Sequence, residues 1–241
     1  MCSECLLFLE EIMGSKLKYF SLIEWLLWSS SSTVIIAFFL IFDRSNYLNL
    51  IASLLGAAAL ILLAKGNPIG HILIIIFGII YGIISFSCAY YGEMITYVGM
   101  TVPMAVIAFI SWIMNPYNGN RSEVKIRAFK MRDLFPMVLI SAAVTVVFWF
   151  ILKHFNTANL IPSTISVATS FVAVYLTFLR SPYYALAYAA NDIVLLVLWS
   201  LATAKDISYI SVLICFAVFL VNDIYGFICW KKNHKRQMKN A

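Results

Sequence analysis

The sequence contains little charge. Asp, Glu, Lys and Arg make up 12% of its 241 residues, whereas 63% are hydrophobic and the mean hydropathy is +0.91. A soluble domain of this length would expose far too much of that apolar surface to water. The composition therefore excludes a soluble globular protein and predicts a polytopic membrane protein with little mass outside the bilayer.

Residues that build catalytic or metal centres are also scarce. The five cysteines are scattered, which argues against a disulfide framework or a zinc motif. The three histidines, His71, His154 and His234, lack the spacing of metal ligands, and neither HExxH nor GxSxG occurs. We therefore expect no catalytic residues, no metal and no cofactor, and the sequence favours a protein that is not an enzyme.

Eight apolar segments are long enough to cross a hydrocarbon core of about 30 Å. We expect an all-α fold of about eight transmembrane helices after an amphipathic lead-in over residues 1–20. Seven helices result if the first one lies on the membrane surface. The predicted spans cover residues 22–42, 47–64, 69–91, 94–114, 135–153 and 162–179, and two more lie between 183 and 230, joined by a turn at 204–206.

Basic residues are distributed unevenly between the two sides that these spans define. Fourteen of the 17 Lys and Arg residues fall on the side of the N-terminus, the loop at 115–135 and the C-terminal tail. Because loops rich in Lys and Arg stay in the cytoplasm, we expect a multi-pass protein of the cell inner membrane with both termini cytoplasmic. Topology and contact with anionic lipid explain the net charge of +6 better than nucleic-acid binding does.

Two Asn-Asp pairs, Asn191-Asp192 and Asn222-Asp223, lie inside the last two spans. A polar side chain in hydrocarbon costs a few kcal/mol unless it faces a partner or a wet cavity. Each pair is about eight positions from the cytoplasmic end of its helix, which at ~1.5 Å per residue is roughly 12 Å deep. Both pairs should therefore lie at one level near the midplane, where transporters bind their substrates.

A faint internal repeat supports this view. The turn after span three reads GEMITYV (92–98) and the turn after span seven reads AKDISYI (204–210). Spans two to four and six to eight start on the same side of the membrane, as in transporters built from parallel repeats. We expect two parallel three-helix bundles joined by an inverting helix, a 3+1+3 plan with an extra N-terminal helix. The predicted units are 1–45 (lead-in and extra helix), 46–114 (first bundle), 115–155 (basic loop and linker helix), 156–230 (second bundle) and 231–241 (basic tail).

At these motifs the chain resembles the PnuC nicotinamide riboside transporters, which share the 3+1+3 plan of the SWEET sugar transporters. The resemblance is carried by VNDIYGFICWKKN, NDIVLLVLW, YGIISFSCAYYGE and ISWIMNP and covers most of residues 46–232. It implies that nicotinamide riboside crosses passively and is drawn inward by a cytoplasmic kinase. The chain has Tyr184 and Tyr188 where the family favours tryptophan. The oligomeric state stays open, a homo-oligomer included.

Nicotinamide riboside is a flat pyridinium cation with a carboxamide and a ribose. Its ring needs an aromatic face, a contact worth about 0.5–2 kcal/mol, and its amide and hydroxyls need partners such as Asn, which both donates and accepts. Helical spacing places the candidates on shared faces of their spans. The predicted substrate-binding residues are Asn191, Asn222, Tyr188, Tyr184, Asp192, Asp223, Tyr225, Phe219, Trp199, Tyr81, Tyr97 and Thr101.

Three further features have structural interpretations. Pro103, in the middle of span four, predicts a kink and serves as the expected hinge. Trp112, Trp199 and Trp230 lie near span ends, where tryptophans commonly anchor a helix at the membrane interface. Glu93 falls in a predicted turn and is expected to be solvated.

Three other classes of function remain as alternatives. A proton-coupled transporter would use Asp192 or Asp223. A vitamin-binding subunit would serve a larger transport complex for another vitamin or nucleoside and would co-purify with an ATPase. An intramembrane enzyme would chemically alter a candidate substrate.

Overall fold

The computed structural model describes residues 19–44, 46–87, 90–157 and 159–240; the predicted lead-in lies almost entirely outside these ranges. Within them, eight helices are long and apolar enough to cross a membrane, as predicted. The helices are α1 (Leu22–Phe42), α2 (Tyr47–Ala64), α3 (Ile69–Ser87), α4 (Tyr91–Ile113), α5 (Met131–His154), α6 (Leu160–Phe178), α7 (Tyr184–Thr203) and α8 (Ile210–Lys239).

Six of the helices pack around a common centre. α2 packs on α3, α3 on α4, α4 on α6, α6 on α7, α7 on α8, and α8 returns to α2. α1 lies outside this ring against α2 and α8, and α5 lies outside it against α6 with most of its apolar side chains exposed. Such exposed apolar surface is suited to lipid. The two peripheral helices are the predicted extra helix and the predicted linker helix; the division of the ring into two three-helix bundles stays a prediction.

The contact between α2 and α8 depends on small residues. Ala57 and Ala59 are completely buried, and a Cβ atom added to Gly56 would come within 2.1 Å of the Phe219 ring. Without a side chain at Gly56, Phe219 can pack end-on against the α2 backbone. This agrees with the close-packing role that small residues have in membrane helices.

The turns between α2 and α3 and between α6 and α7 have the same geometry. Each contains a residue with positive φ, Gly66 (77°) and Arg180 (56°), and each closes with the same two backbone hydrogen bonds. The bonds are Gly66 N–H to Leu63 O (2.9 Å), Asn67 N–H to Leu62 O (3.0 Å), Arg180 N–H to Thr177 O (2.9 Å) and Ser181 N–H to Leu176 O (2.9 Å).

Two tryptophans connect the two halves of the ring, which are α2–α4 and α6–α8. Each tryptophan lies in one half and contacts the turn in the other half. The Trp112 indole N–H, on α4, donates to the Thr177 carbonyl at 3.0 Å, and the Trp230 indole N–H, on α8, donates to the Leu63 carbonyl at 2.8 Å. The accepting carbonyls occupy equivalent places in the two turns. The expectation that Trp112, Trp199 and Trp230 are interfacial anchors is wrong, since all three are fully buried.

The polar segment after α4 is not an irregular loop. It forms a β-hairpin of β1 (Pro116–Tyr117) and β2 (Asn120–Val124), and we call this side of the molecule the hairpin face and the other the opposite face. The Val124 N–H donates to the Gly66 carbonyl and the Arg127 N–H to the Arg180 carbonyl, each at 3.0 Å. One short segment therefore joins the two equivalent turns.

The predicted basic tail is the helical continuation of α8. Its buried Gln237 accepts a hydrogen bond from the Ile126 N–H (2.8 Å) and donates to the Val124 carbonyl (3.1 Å) and the Glu123 carboxylate (2.8 Å). Arg236 forms an ion pair with Glu123. The tail thus packs on the hairpin and fixes it against the ends of the helices.

The repeat predicts that Trp112→Phe and Trp230→Phe destabilise the protein to a similar extent. Each substitution removes one buried hydrogen bond and some volume, which should cost about 1–3 kcal/mol. Thermal unfolding in detergent measures the effect, and the partly exposed Trp28 gives the control variant Trp28→Phe. A large loss in one variant with none in the other would contradict the structural equivalence of the two halves.

Candidate functional site

A cavity of about 50 Å³ lies at the centre of the ring, and all six ring helices contribute to its wall. Most of the wall is apolar, and its polar side chains come mainly from the helices that carry the predicted site. Those polar residues are His71, Tyr97, Thr101, Ser170, Thr177, Tyr188, Asn191, Asp192 and Asp223.

The acidic members of the two Asn-Asp pairs meet in this cavity. Asp192 and Asp223 are both buried, and their carboxyl groups lie close enough to interact across α7 and α8. The two pairs therefore lie at one level, as their positions in the sequence predicted. Within the described residues, Asp192 Oδ2 has no hydrogen-bond partner. A buried polar atom of this kind is a natural contact for a polar ligand.

The orientation of Asn191 is fixed by α6. Its Oδ1 accepts hydrogen bonds from Thr169 Oγ1 at 2.7 Å and from Ser170 Oγ at 3.0 Å. With the carbonyl occupied by two hydroxyl donors, the amide NH₂ is the part of Asn191 that remains to donate to a molecule in the cavity. Asn191 thus contacts the cavity as a donor.

Asn222 does not line the cavity, although the sequence predicted that it would. Its Nδ2 donates to Ser31 Oγ on α1 (3.1 Å) and to the Val218 carbonyl (2.8 Å). Neighbouring positions of a helix point about 100° apart. Asp223 faces the centre of the ring, and Asn222 therefore turns toward the peripheral helix α1.

The aromatic candidates divide into two groups. Tyr188, Tyr97 and Phe219 line the cavity, whereas Tyr184 lies between Trp112 and the hairpin-face end of α8.

The remaining aromatic candidates also lie outside the cavity wall. The Tyr81 ring packs behind Tyr97, with 4.4 Å between ring centroids, and Trp199 lies farther toward the opposite face, 6.2 Å from Tyr81. Tyr225 is half-buried near Ser21, on the side of α1.

The irregularity in α4 is more extensive than a proline kink. Tyr97–Thr101 forms a π-helical turn in which the Val102 N–H bonds to the Tyr97 carbonyl, and Pro103 follows on the exposed side of the helix. Such turns widen a helix locally and are frequent at functional sites. Tyr97 and Thr101, the first and last residues of the turn, both line the cavity.

Several residues that line the cavity were not among the predicted substrate-binding residues. His71 was considered only as a metal ligand, but it lines the cavity with its ring 4.3 Å from that of Trp112. Ser170 and Thr177 belong to a stripe of hydroxyl residues on α6. The stripe consists of Ser163, Ser166, Ser170 and Thr177, all buried, and its helical spacing was a readable signal.

Comparison with known proteins agrees with this geometry. A family model described as "Nicotinamide mononucleotide transporter" matches residues 46–232, which is most of the chain and leaves only α1 of the described helices outside the match. The chain belongs to this family, the PnuC transporters.

Two relatives carry the name nicotinamide riboside transporter PnuC. The protein from Neisseria mucosa is 26% identical over 200 residues, which cover 81% of this chain and 76% of the relative. The protein from Haemophilus influenzae is 22% identical over 192 residues, covering 79% of this chain and 82% of the relative. The crystal structure of the vitamin B3 transporter PnuC matches with a TM-score of 0.79 at 24% identity, covering 90% of this chain and 94% of that one. The predicted membership in the PnuC family and the eight-helix fold are thus confirmed.

Proposed function

We propose that this PnuC family member transports nicotinamide riboside through the central cavity. The observation that carries the proposal is the joint presence of the Asn191 amide and the Asp192–Asp223 acid pair in a cavity with aromatic walls. A carboxylate and an aromatic face both attract a pyridinium cation. The Asn191 NH₂ group can donate to the carboxamide oxygen or a ribose hydroxyl.

The cavity chemistry favours the riboside over the mononucleotide. Among the residues that the structure describes, the wall of the cavity contains two aspartates and neither Lys nor Arg. A phosphate group would place up to two further negative charges beside these carboxyl groups, and among the described lining residues no Lys or Arg could form an ion pair with it. The two relatives are named for the riboside, which agrees with this preference.

The size of the cavity supports transport by alternating access. Sites for small molecules commonly have volumes of roughly 300–1,000 Å³, far above the 50 Å³ found here. The riboside can therefore bind only after the ring helices move apart. We propose that one three-helix bundle rocks against the other and that the π-helical turn before Pro103 absorbs part of the change in α4.

The charge distribution supports a proposed orientation in the membrane and a direction of substrate flux. The hairpin face carries most of the basic residues, so we place it and both termini in the cytoplasm, at the inner membrane. A cytoplasmic kinase that phosphorylates the riboside would create a product that the acidic cavity rejects. Passive flux would then be drawn inward without coupling to an ion.

The acid pair supports one alternative. Because the Asp192 and Asp223 carboxyl groups lie side by side in the wall of the cavity, a proton bound there could be carried with the substrate. This version of the function differs from passive flux in a measurable way.

The proposal is tested with the purified protein in liposomes. We expect uptake of labelled nicotinamide riboside to stop when the inside and outside concentrations are equal, and uptake of nicotinamide mononucleotide to stay at the level of empty liposomes. Accumulation driven by an imposed pH gradient would instead establish the proton-coupled version. The absence of riboside uptake, or equal uptake of the mononucleotide, would contradict the proposal.

The geometry of the two asparagines predicts different effects for matched substitutions. Asn191→Ala removes a donor from the cavity and should weaken riboside binding at least tenfold, the equivalent of about 1.4 kcal/mol. Asn222→Ala removes a bond to α1 and should change the dissociation constant less than threefold while lowering the thermal stability. Calorimetric titration in detergent measures both variants. Equal losses of affinity would place Asn222 in the site after all.

A further inference from the structure

The cavity-facing stripe of α4 continues beyond the cavity. Tyr97, Thr101, Met104 and Ala108 line the cavity at intervals of three or four residues. Glu93 lies one helical turn before Tyr97 on the same side of α4. It is therefore nearer than Tyr97 to the opposite face of the molecule. The prediction of a solvated turn at Glu93 is wrong, because the residue is helical and only 1% exposed.

α3 and α6 show the same continuation. On α3, Phe77 lines the cavity, and Tyr81 and Ser85 follow at successive turns toward the opposite face. On α6, Ser166 precedes the lining residue Ser170 by one turn in the same direction. Three helices thus carry a polar path from the cavity toward the opposite face.

The polar atoms on this path lack partners. Glu93 Oε2, Ser85 Oγ and Ser166 Oγ are buried and, among the residues that the structure describes, none of them has a hydrogen-bond partner. Buried polar atoms are nearly always paired in folded proteins. The alignment of these three atoms along one path fits a second conformation, in which water or a ligand occupies the path and bonds to them.

The surroundings of Glu93 match the chemistry of an organic cation. Glu93 lies one helical turn from Tyr97 on the same side of α4, and the Tyr97 ring packs against that of Tyr81. The rings of Tyr81 and Tyr97 lie 4.4 Å apart and Trp199 is 6.2 Å from Tyr81. A carboxyl group beside several aromatic rings is the arrangement that recognises a flat or quaternary cation.

We propose that Glu93, Ser85 and the rings of Tyr81, Tyr97 and Trp199 form a second binding site for the cationic substrate, between the central cavity and the opposite face. This inference rests on the proposed function, because it assigns the site to the same pyridinium compound. A substrate that enters from the opposite face binds at this second site first, because the Glu93 carboxylate attracts the cation. It then moves about one or two helical turns inward to Asn191.

Two substitutions of Glu93 separate a charge effect from a structural one. Glu93→Gln keeps the size and the hydrogen-bonding capacity but removes the charge, whereas Glu93→Asp keeps the charge. In liposomes, with low concentrations of nicotinamide riboside, we expect Glu93→Gln to reduce the initial uptake rate at least tenfold and Glu93→Asp to retain most of the activity. The equilibrium dissociation constant of the central cavity in detergent should change less than twofold in both variants.

A matched control is Glu24→Gln, which alters another buried glutamate. Glu24 forms an ion pair with Lys65 near the hairpin-face end of α1 and does not lie on the polar path. This variant should leave the uptake rate within twofold. Uptake by Glu93→Gln at the wild-type rate, or an equal loss of uptake, affinity and thermal stability, would overturn the second site and leave the proposed function intact. Failure of the unaltered protein to take up the riboside would overturn both.

Discussion

Polar groups inside a membrane protein must be paired or face a hydrated space, and this constraint organises the whole ring. The outward sides of the ring helices are largely apolar, and buried amides, acids and hydroxyls of α4, α6, α7 and α8 line the central cavity. Asn191 is held by two hydroxyls of α6, and the Asp192 carboxyl group lies beside that of Asp223. The same pairing that makes these residues tolerable in lipid also presents their remaining atoms to the cavity.

The hairpin face shows how backbone groups meet the same demand. The two equivalent turns end α2 and α6, and Trp112 and Trp230 each add a second donor to a turn carbonyl that already accepts a backbone hydrogen bond. The hairpin segment then bonds to both turns through Val124 and Arg127, and Gln237 holds it in place. The contacts at this face therefore join α2, α4, α6 and α8 to one another and to the hairpin.

Much of this could be predicted from the sequence, because hydrophobic length and polar depth are local properties of the chain. The bounds of α1 and α2 and the common level of the two Asn-Asp pairs follow from counting residues. The direction of a side chain within a helix depends on neighbours that are distant in sequence, which is why Asn222 was assigned to the cavity although Ser31 of α1 binds it. The hairpin was missed although Asn118-Gly119, both with positive φ, is a strong turn signal. Glu93 was misplaced because α4 begins at Tyr91, three residues before the predicted start.

In the proposed transport cycle, the Asn191 amide and the Asp192–Asp223 pair receive the substrate between the six ring helices. A structure of the protein determined with bound nicotinamide riboside tests it most directly. We expect the pyridinium carboxamide or ribose within hydrogen-bonding distance of Asn191, the ring against Tyr97 or Tyr188, and a cavity several times larger than 50 Å³. A ligand bound between α1 and α8 beside Asn222, with the central cavity still closed, would contradict the account.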